Sequence, residues 1–316
     1  MNPADTRIVF MGTPPFAVAS LDALVKAGFT ISAVVTAPDK PAGRGLQLQQ
    51  SAVKKYAIEN NLPVLQPVKL KDPAFTNALE ALNANVFVVV AFRMLPEIVW
   101  NMPPMGTINV HGSLLPSYRG AAPINWAVIN GEKETGVTTF KLKAAIDTGN
   151  ILLQDKLPIT EADTAGTIHD KMMVIGAHLL VTTLHGIINN TLAEKDQEEI
   201  INNDPNLLKH APKIFTETCT INWNNTSESI FNLIRGLSPF PGALTKLDDK
   251  IFKIFAAQKE ICSHQNPAGS VFTDNKTYLK FACADGYLHI TDLQLEGKKR
   301  MQVADFLRGY TIKSTK

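Results

Sequence analysis

Continuous apolar runs alternate with amphipathic segments through the first half of the chain. Short runs rich in Val, Ile, Phe and Ala, typical of parallel strands covered on both faces, lie at residues 7–11, 30–37, 64–65, 86–92 and 106–111. Apolar residues recur at helical spacing in the segments between them, at residues 16–28, 51–61 and 73–83. Strands that alternate with helices predict an α/β domain with a doubly wound, Rossmann-like sheet.

The pattern changes along the second half. A long helix is predicted at residues 167–190, because apolar residues follow one face there. Residues 202–206 (NNDPN) then break the periodicity. Beyond residue 213, short β-like runs separated by turns predict a smaller, OB-like β-barrel. These runs lie at residues 251–255, 269–272, 277–282 and 287–293. We therefore expect one domain at 1–205, a linker at 206–212 and a β-barrel domain at 213–316.

One segment of the first domain is expected to be irregular. Residues 38–50 (PDKPAGRGLQLQQ) contain two prolines and two glycines, which break helices and strands alike. The same segment carries two cations, Lys40 and Arg44. The glycines on either side of Arg44 permit close approach of the backbone to a phosphate or base.

Charge excludes one class of protein and points weakly to another. The 316 residues hold 31 Lys and Arg against 29 Asp and Glu, which excludes a uniformly basic protein that coats nucleic acid. Residues 1–205 hold 16 basic and 19 acidic side chains, whereas residues 206–316 hold 15 and 10. This asymmetry is a weak indication of a polyanionic partner on the C-terminal side.

The sequence predicts a cytoplasmic protein. Its three cysteines form no CxxC pair and leave one unpaired in any disulfide scheme. The first residues lack the order of a signal peptide. We see no apolar run that approaches the roughly 18 residues needed to span a bilayer, so no membrane association is expected.

Several common ligand motifs are missing. The first strand-to-helix turn, Gly12 to Phe16, is not G-x-G-x-x-G, and no acidic residue closes the second strand, which disfavours a nicotinamide dehydrogenase. No Walker A sequence occurs. His178 and His185 are seven residues apart, a spacing that does not suit zinc. No metal is expected.

Candidate chemistry is densest in residues 106–125. Asn109 and His111 are two residues apart at the end of a predicted strand, so their side chains lie on the same side of it. Ligands of open α/β sheets bind at the carboxyl ends of the strands. An amide beside an imidazole can stabilise an oxyanion and move protons. Asp147, in the turn AIDTGN, is a third candidate. Each residue alone is more often structural.

Three motifs together, the strand-terminal N-V-H, the S-L-L-P segment that follows it and the later D-T-G, resemble the formyltransferase family that uses 10-formyltetrahydrofolate. The segments that carry the resemblance are FMGTPPFA, PDKPAGRG, VFVVVAF, INVHGSLLPSYRGAAPINWA and IDTGNILLQ, with a weaker set in INWNNTSESIFNLIRGLSPFPGA and LQLEGKKRMQVADFLRG. They cover most of the chain and imply the formyltransferase fold. The loop and the C-terminal domain are most similar to the branch that formylates methionine esterified to initiator tRNA. That resemblance implies 10-formyltetrahydrofolate as co-substrate, initiator tRNA as partner and a monomer.

The resemblance also implies roles for individual residues. Asn109, His111 and Asp147 fall on the catalytic positions of the family, as oxyanion donors and proton-transfer groups. The positions expected to contact the folate are Ser113, Leu114, Leu115, Pro116, Ala91 and Phe92. The cations expected to contact tRNA are Lys40, Arg44, Lys298, Lys299 and Arg300.

Two positions depart from the pattern, and several alternatives remain. The segment 93–95 is one residue short and lacks a glycine, and residues 46–48 read Leu-Gln-Leu where lysines are expected. The nearest alternatives are a UDP-amino-sugar formyltransferase and a formyltetrahydrofolate hydrolase, which need the same three residues but no basic C-terminal face. A glycinamide ribonucleotide formyltransferase should lack the last hundred or so residues. A non-catalytic nucleotide- or RNA-binding module on a Rossmann-like scaffold would not require the three residues.

Overall fold

The computed structural model describes residues 2–42 and 47–313 of the chain. It divides into two compact units, each built from three separate segments. The first takes residues 1–120, 136–157 and 169–210, and the second takes residues 121–135, 158–168 and 211–316.

The secondary structure alternates as expected in the first half and becomes mostly β in the last third. The strands are β1 (Arg7–Gly12), β2 (Thr30–Val35), β3 (Lys40–Ala42), β4 (Gln47–Gln49), β5 (Val64–Leu65), β6 (Val86–Val90), β7 (Thr107–His111), β8 (Arg119–Gly120), β9 (Glu134–Lys141), β10 (Ile151–Pro158), β11 (His210–Ala211), β12 (Ala243–Leu247), β13 (Lys250–Ile261), β14 (Val271–Thr273), β15 (Leu279–Cys283), β16 (Gly286–Leu295) and β17 (Met301–Gln302). The helices are α1 (Pro15–Lys26), α2 (Ala52–Glu59), α3 (Pro73–Ala81), α4 (Glu97–Trp100), α5 (Pro123–Ile129), α6 (Ala165–Ile188), α7 (Gln197–Asn203), α8 (Thr216–Cys219), α9 (Ser227–Gly236) and α10 (Val303–Arg308).

A seven-stranded sheet organises the first unit, in the order β10-β9-β7-β6-β1-β2-β5. The five strands from β7 to β5 run parallel, and β9 is antiparallel to β7. Val9 and Phe87 pack with Phe75 and Leu79 of α3, whereas Gly12 lies against Ala17 of α1. Because helices cover both faces, the prediction of a doubly wound sheet is confirmed.

Helix α6 corrects one expectation. With 24 residues it is long and apolar enough to cross a membrane by length and composition alone, whereas the apolar pattern of the sequence predicts no such segment. Met172, Leu180 and Leu184 on it are buried. Gly176 lets the helix approach the sheet, since a Cβ there would lie 3.3 Å from side-chain carbons of Val110 and Val137. Its packing is that of a core helix.

The prediction that residues 38–50 form an irregular loop is also partly wrong. Strands β3 and β4 pair as an antiparallel hairpin in which Lys40 is opposite Gln49. Pro41 is accommodated because a two-stranded ribbon leaves one edge of each strand unpaired.

The second unit is a curled antiparallel half-barrel, in agreement with the predicted small β-barrel. Its strands follow the order β12-β13-β16-β15-β14, with β17 paired to β16. Phe252, Phe281 and Phe306 fill its interior, and Trp223 stacks on Phe281 with ring centroids 4.6 Å apart. Strand β13 is longer than the predicted 251–255, because a register shift near Ala256 lets it bend and continue.

Earlier parts of the chain complete this second unit. The side-chain amide of Asn125 in α5 donates to the carbonyl of Gly236, 2.8 Å away. The guanidinium of Arg235, which is buried, donates to the carbonyl of Thr160 at 2.9 Å. The unit is therefore not a continuous C-terminal segment.

Candidate active site

Strand β7 places Asn109 and His111 at the carboxyl end of the parallel sheet. Asn109 is opposite Phe140, and His111 is opposite Thr138, in the antiparallel pairing with β9. The two side chains share one side of the strand because they are two residues apart. His111 is buried, whereas Asn109 is half-buried. Within the described part of the chain, the Asn109 amide makes no side-chain hydrogen bond, so it is free to bind a ligand.

The imidazole of His111 is held on two sides. Its Nε2 donates a hydrogen bond to the carbonyl oxygen of Tyr118 at 2.9 Å, and its ring meets Phe140 edge-on with centroids 6.4 Å apart. Nδ1 lies 3.8 Å from Oδ2 of Asp147, too far for a hydrogen bond but close enough for electrostatic stabilisation of a protonated ring. The fold thus brings together His111 and Asp147, which are 36 positions apart in the sequence.

The turn that carries Asp147 has an unusual backbone. Asp147 has φ of +55°, in the left-handed region that costs a residue with a Cβ about 1–2 kcal/mol. Its Oδ2 accepts a hydrogen bond from the backbone N–H of Gly120 at 2.9 Å. Gly149 lies so close to β9 that a Cβ would be 1.6 Å from the carbonyl oxygen of Lys141. The backbone conformation therefore aims the Asp147 carboxylate, and only glycine fits two residues later.

The SLLP turn is fixed by hydrogen bonds to its backbone. Ser113 is fully buried, and its hydroxyl donates to the carbonyl of Ser117 at 2.6 Å. The Thr138 hydroxyl donates to the carbonyl of Ser113 at 2.7 Å and accepts from the N–H of Leu115 at 3.1 Å. Leu115 and Pro116 are also buried, whereas Leu114 is partly exposed. Leu114 is therefore the one side chain of this turn that is accessible in part.

Ala91 and Phe92 follow β6, the strand next to β7, and so lie at the same edge of the sheet. Ala91 is exposed and has φ of +47°. Phe92 packs partly into the core. Arg93 closes the short segment: its guanidinium lies 5.5 Å from the centre of the Phe92 ring and donates to the carbonyl of Val68 at 2.9 Å. The shortened segment is thus tied to the loop that follows β5.

The hairpin that bears Lys40 is anchored at its base. Lys40 is exposed. The neighbouring carboxylate of Asp39 accepts from Nζ of Lys54 at 2.5 Å and from the Gln66 amide at 2.9 Å. These two hydrogen bonds, that from Lys54 first, hold the pKa of Asp39 below its usual value. Arg44 lies outside the described residues.

The three predicted cations of the second unit differ in availability. Lys298 and Lys299 are exposed after β16. Arg300 instead forms a bidentate pair with Asp292, at 3.0 and 2.6 Å, and lies over the ring of Phe255 at 4.2 Å. Arg300 is therefore already engaged within its own unit.

Sequence reasoning missed the groups that orient the predicted residues. The Tyr118 carbonyl and the Gly120 N–H are backbone atoms, and the side-chain pattern gives no signal for them. Thr138 could have been found, since a polar residue inside a buried strand needs a hydrogen-bond partner. Across residues 2–42 and 47–313, no group of three or more His, Cys, Asp or Glu side chains is placed to hold a metal ion.

Family models match both parts of the chain. The model described as formyl transferase matches residues 6–184. The model described as formyl transferase, C-terminal domain, matches residues 213–311.

The curated relatives match over nearly the whole length. Methionyl-tRNA formyltransferase of Bacteroides thetaiotaomicron is 50% identical over 317 residues, which cover 99% of this chain and 98% of the relative. The enzyme of the same name from Parabacteroides distasonis is 53% identical, and the match covers 98% and 97%. Among solved structures, the N-formyltransferase of Helicobacter canadensis with folinic acid and dTDP-3-aminofucose has a TM-score of 0.67 at 23% identity, covering 92% of this chain and 100% of that one. This last likeness establishes the fold.

Proposed function

The chain belongs to the family of methionyl-tRNA formyltransferases, and on that premise we propose that Asn109, His111 and Asp147 perform its chemistry. The reaction transfers a formyl group to the amino group of methionine on initiator tRNA. The family uses a formyl-tetrahydrofolate as donor. We propose that 10-formyltetrahydrofolate is the donor for this chain.

Asn109 is proposed to stabilise the charge that forms first. Attack of the methionine amine on the formyl carbon forms a C–N bond and turns the formyl oxygen into an oxyanion. The Asn109 amide is half-buried and free of other hydrogen bonds among the described residues, so it can donate to that oxygen without giving up a partner. A donor of this kind typically lowers the barrier by about 3–4 kcal/mol.

His111 is proposed to move the proton. The attacking amine becomes acidic as its nitrogen gains positive charge, and Nδ1 of His111 accepts that proton because Nε2 is committed to Tyr118. The imidazolium is stabilised by the Asp147 carboxylate, 3.8 Å from Nδ1. The proton then passes to the folate nitrogen as its bond to the formyl carbon breaks. The products are formylmethionyl-tRNA and tetrahydrofolate, and no oxidant or reductant is needed.

The folate is proposed to bind along the carboxyl edge of β6 and β7. Leu114 and the backbone of the SLLP turn lie on one side, and Ala91 and Phe92 lie on the other. This placement rests on the shared sheet edge, where ligands of open α/β sheets bind.

The tRNA is proposed to contact the five cations expected from the sequence. Lys40 lies on β3 and Lys298 and Lys299 lie after β16, whereas Arg44 is outside the described residues. Arg300 is the weakest of the expected contacts because Asp292 already pairs with it. We further propose that the protein acts as a monomer in the cytoplasm, where charged initiator tRNA is available.

One observation carries this proposal. The Asn109 amide, which has no hydrogen-bond partner among the described residues, lies on the same strand face as His111, and Nδ1 of His111 is 3.8 Å from the Asp147 carboxylate. The test is a formyl-transfer assay with 10-formyltetrahydrofolate and three acceptors: methionyl initiator tRNA, free methionine and a UDP-amino sugar. We expect transfer to the charged tRNA alone. Transfer to the amino sugar at a comparable rate would favour the sugar formyltransferase instead, and hydrolysis without any acceptor would favour the hydrolase.

A further inference from the structure

Gln197 is a fully buried polar residue at the start of α7. Its side-chain NH2 donates to the carbonyl oxygens of Asp147 and Gly149, at 2.9 and 2.7 Å. Its side-chain oxygen accepts from Nε and Nη2 of Arg119, at 3.0 and 2.8 Å. Both hydrogens of the amide and both lone pairs of its oxygen are therefore used. No motif identified in the sequence includes this residue.

These bonds reach the turn whose conformation aims the Asp147 carboxylate. The outer side of the turn is open to solvent, since Ile146 is 59% exposed. Within the turn, the Thr148 hydroxyl donates to the carbonyl of Ala145 at 3.0 Å. On the inner side, Gln197 donates to the carbonyls of Asp147 and Gly149, the two residues that flank Thr148. Because Asp147 has a left-handed backbone, such contacts must offset its strain.

The same amide connects that turn to the segment that holds the carboxylate. Arg119 precedes Gly120, whose N–H donates to Oδ2 of Asp147. These contacts form a closed circuit. The Gly120 N–H donates to the Asp147 carboxylate, the Arg119 side chain donates to the Gln197 oxygen, and the Gln197 NH2 donates to the Asp147 carbonyl. A displacement at any point of the circuit moves the carboxylate relative to His111.

We propose that Gln197 is a positioning residue for formyl transfer, which acts by fixing Asp147 against His111. This inference rests on the proposed roles of Asp147 and His111. A primary amide is required because the site has two acceptors on one side and a cationic donor on the other. A glutamate could still accept from Arg119 but could not donate to the two carbonyls, and a methionine could fill the space without either bond.

The test compares Gln197→Met and Gln197→Glu with Asn202→Ala, an exposed change in the same helix. We expect the Gln197 variants to show a kcat about 10- to 100-fold below wild type, as misplaced catalytic groups do. KM for both substrates should change by less than about threefold, because Gln197 does not touch either substrate. The Asn202 variant should resemble wild type. A Gln197 variant that folds and keeps wild-type kcat overturns the proposal.

A double variant separates positioning from general structural support. Adding Gln197→Met to Asp147→Asn should lower kcat no further than Asp147→Asn alone, if Gln197 acts through Asp147. Multiplied losses would overturn the inference while leaving the role of Asp147 intact. An unimpaired Asp147→Asn enzyme would instead overturn the proposed role of Asp147 and this inference with it. Should Gln197→Met not fold, Arg119→Lys perturbs the same circuit from its other end and must show the same non-additivity.

Discussion

The carbonyl oxygen of Tyr118 accepts a hydrogen bond from Nε2 of His111 at 2.9 Å, and this pairing leaves Nδ1 as the nitrogen available for the proposed proton transfer. A carbonyl can only accept, so the neutral ring carries its proton on Nε2. Nδ1 then holds the lone pair, on the side where Asp147 lies. A protonated ring keeps the Tyr118 bond and gains a donor at Nδ1.

The first prediction follows from this assignment. His111→Gln retains an N–H for the Tyr118 carbonyl but has no basic nitrogen at the Nδ1 position. We expect kcat to fall by at least about 100-fold with little change in thermal stability, and the same for Asn109→Ala, whose amide has no partner among the described residues. The measurement is steady-state formylation of charged tRNA beside thermal unfolding. Asn101→Ala, an exposed asparagine, is the control. Near-normal turnover in either variant contradicts the assignment of that residue.

The second prediction concerns the anchor of the hairpin. Asp39→Asn keeps the shape of the side chain but removes the charge that pairs with Lys54. We expect KM for tRNA to rise about two- to fivefold, the range of a partly exposed ion pair. Simple electrostatics predicts the opposite, because removal of a negative charge should favour a polyanion. An unchanged or lower KM for tRNA therefore rules out the anchoring role.

The same anchor predicts a dependence on pH. The hydrogen bonds from Lys54 and Gln66 lower the pKa of Asp39. The contribution of the ionised Asp39 carboxylate to anchoring the hairpin is therefore complete above the ordinary carboxyl pKa. It disappears only as pH falls through the lowered value. The Asp39→Asn effect on KM should therefore be constant between neutral and mildly alkaline pH.

The third prediction concerns the strained end of β6. Ala91→Gly removes the strain of a positive φ, which costs alanine about 1–2 kcal/mol. The substitution also costs about 0.5–1 kcal/mol, because glycine loses more conformational entropy on folding. We expect stability to rise by up to roughly 1 kcal/mol, measured by urea unfolding. Ala74→Gly in α3, where φ is helical, should instead destabilise. A destabilised Ala91→Gly protein would show that the methyl group makes contacts that outweigh the strain.

The fourth prediction separates the cations after β16. Replacing Lys298 and Lys299 by alanine should raise KM for tRNA and make binding less dependent on salt, with the slope falling by about one for each phosphate that is no longer neutralised. Arg300→Ala should mainly reduce thermal stability, because it breaks the pair with Asp292 and removes the guanidinium from the Phe255 ring. Folate affinity should stay near wild type in both. Salt-insensitive binding of tRNA to the wild-type protein would contradict the whole electrostatic description.

The fifth prediction concerns the boundary expected at 206–212, which stays a prediction. Residues 205–210 are exposed, so limited trypsin treatment should cleave after Lys209 or Lys213. The fragments should nevertheless elute together on gel filtration, because α5 and its neighbours in the first fragment belong to the second unit. Cleavage within 137–151, or separation of the fragments, would contradict this division.

The strands and helices of the fold could be predicted from the sequence because apolar residues recur in them at a regular spacing. The short apolar runs that predicted β6 and β7 identified the sheet, and period-two geometry placed Asn109 and His111 on the same side of β7. The antiparallel direction of β9 and the hairpin at Lys40 were not accessible, since strand direction and short pairings depend on long-range contacts.

Within the proposed site, the candidate catalytic side chains could be selected from the sequence, whereas the groups that orient them could not. Gln197 is separated by 50 residues from Asp147, and a glutamine carries no signal of burial, being mostly exposed in proteins. The conformation of the Asp147 turn likewise involves long-range contacts, because Gln197 donates to the carbonyls of Asp147 and Gly149.

The division of the second unit among three segments of the chain has a consequence for its synthesis. Residues 121–135 and 158–168 leave the ribosome well before residues 211–316, with which they pack. Domains fold as units during translation when their segments emerge together, and these do not. Arg235, whose Thr160 partner lies in the earlier part, can be buried only after the later part has emerged. The earlier segments of the second unit must therefore stay without their packing partners while the intervening residues of the first unit are synthesised.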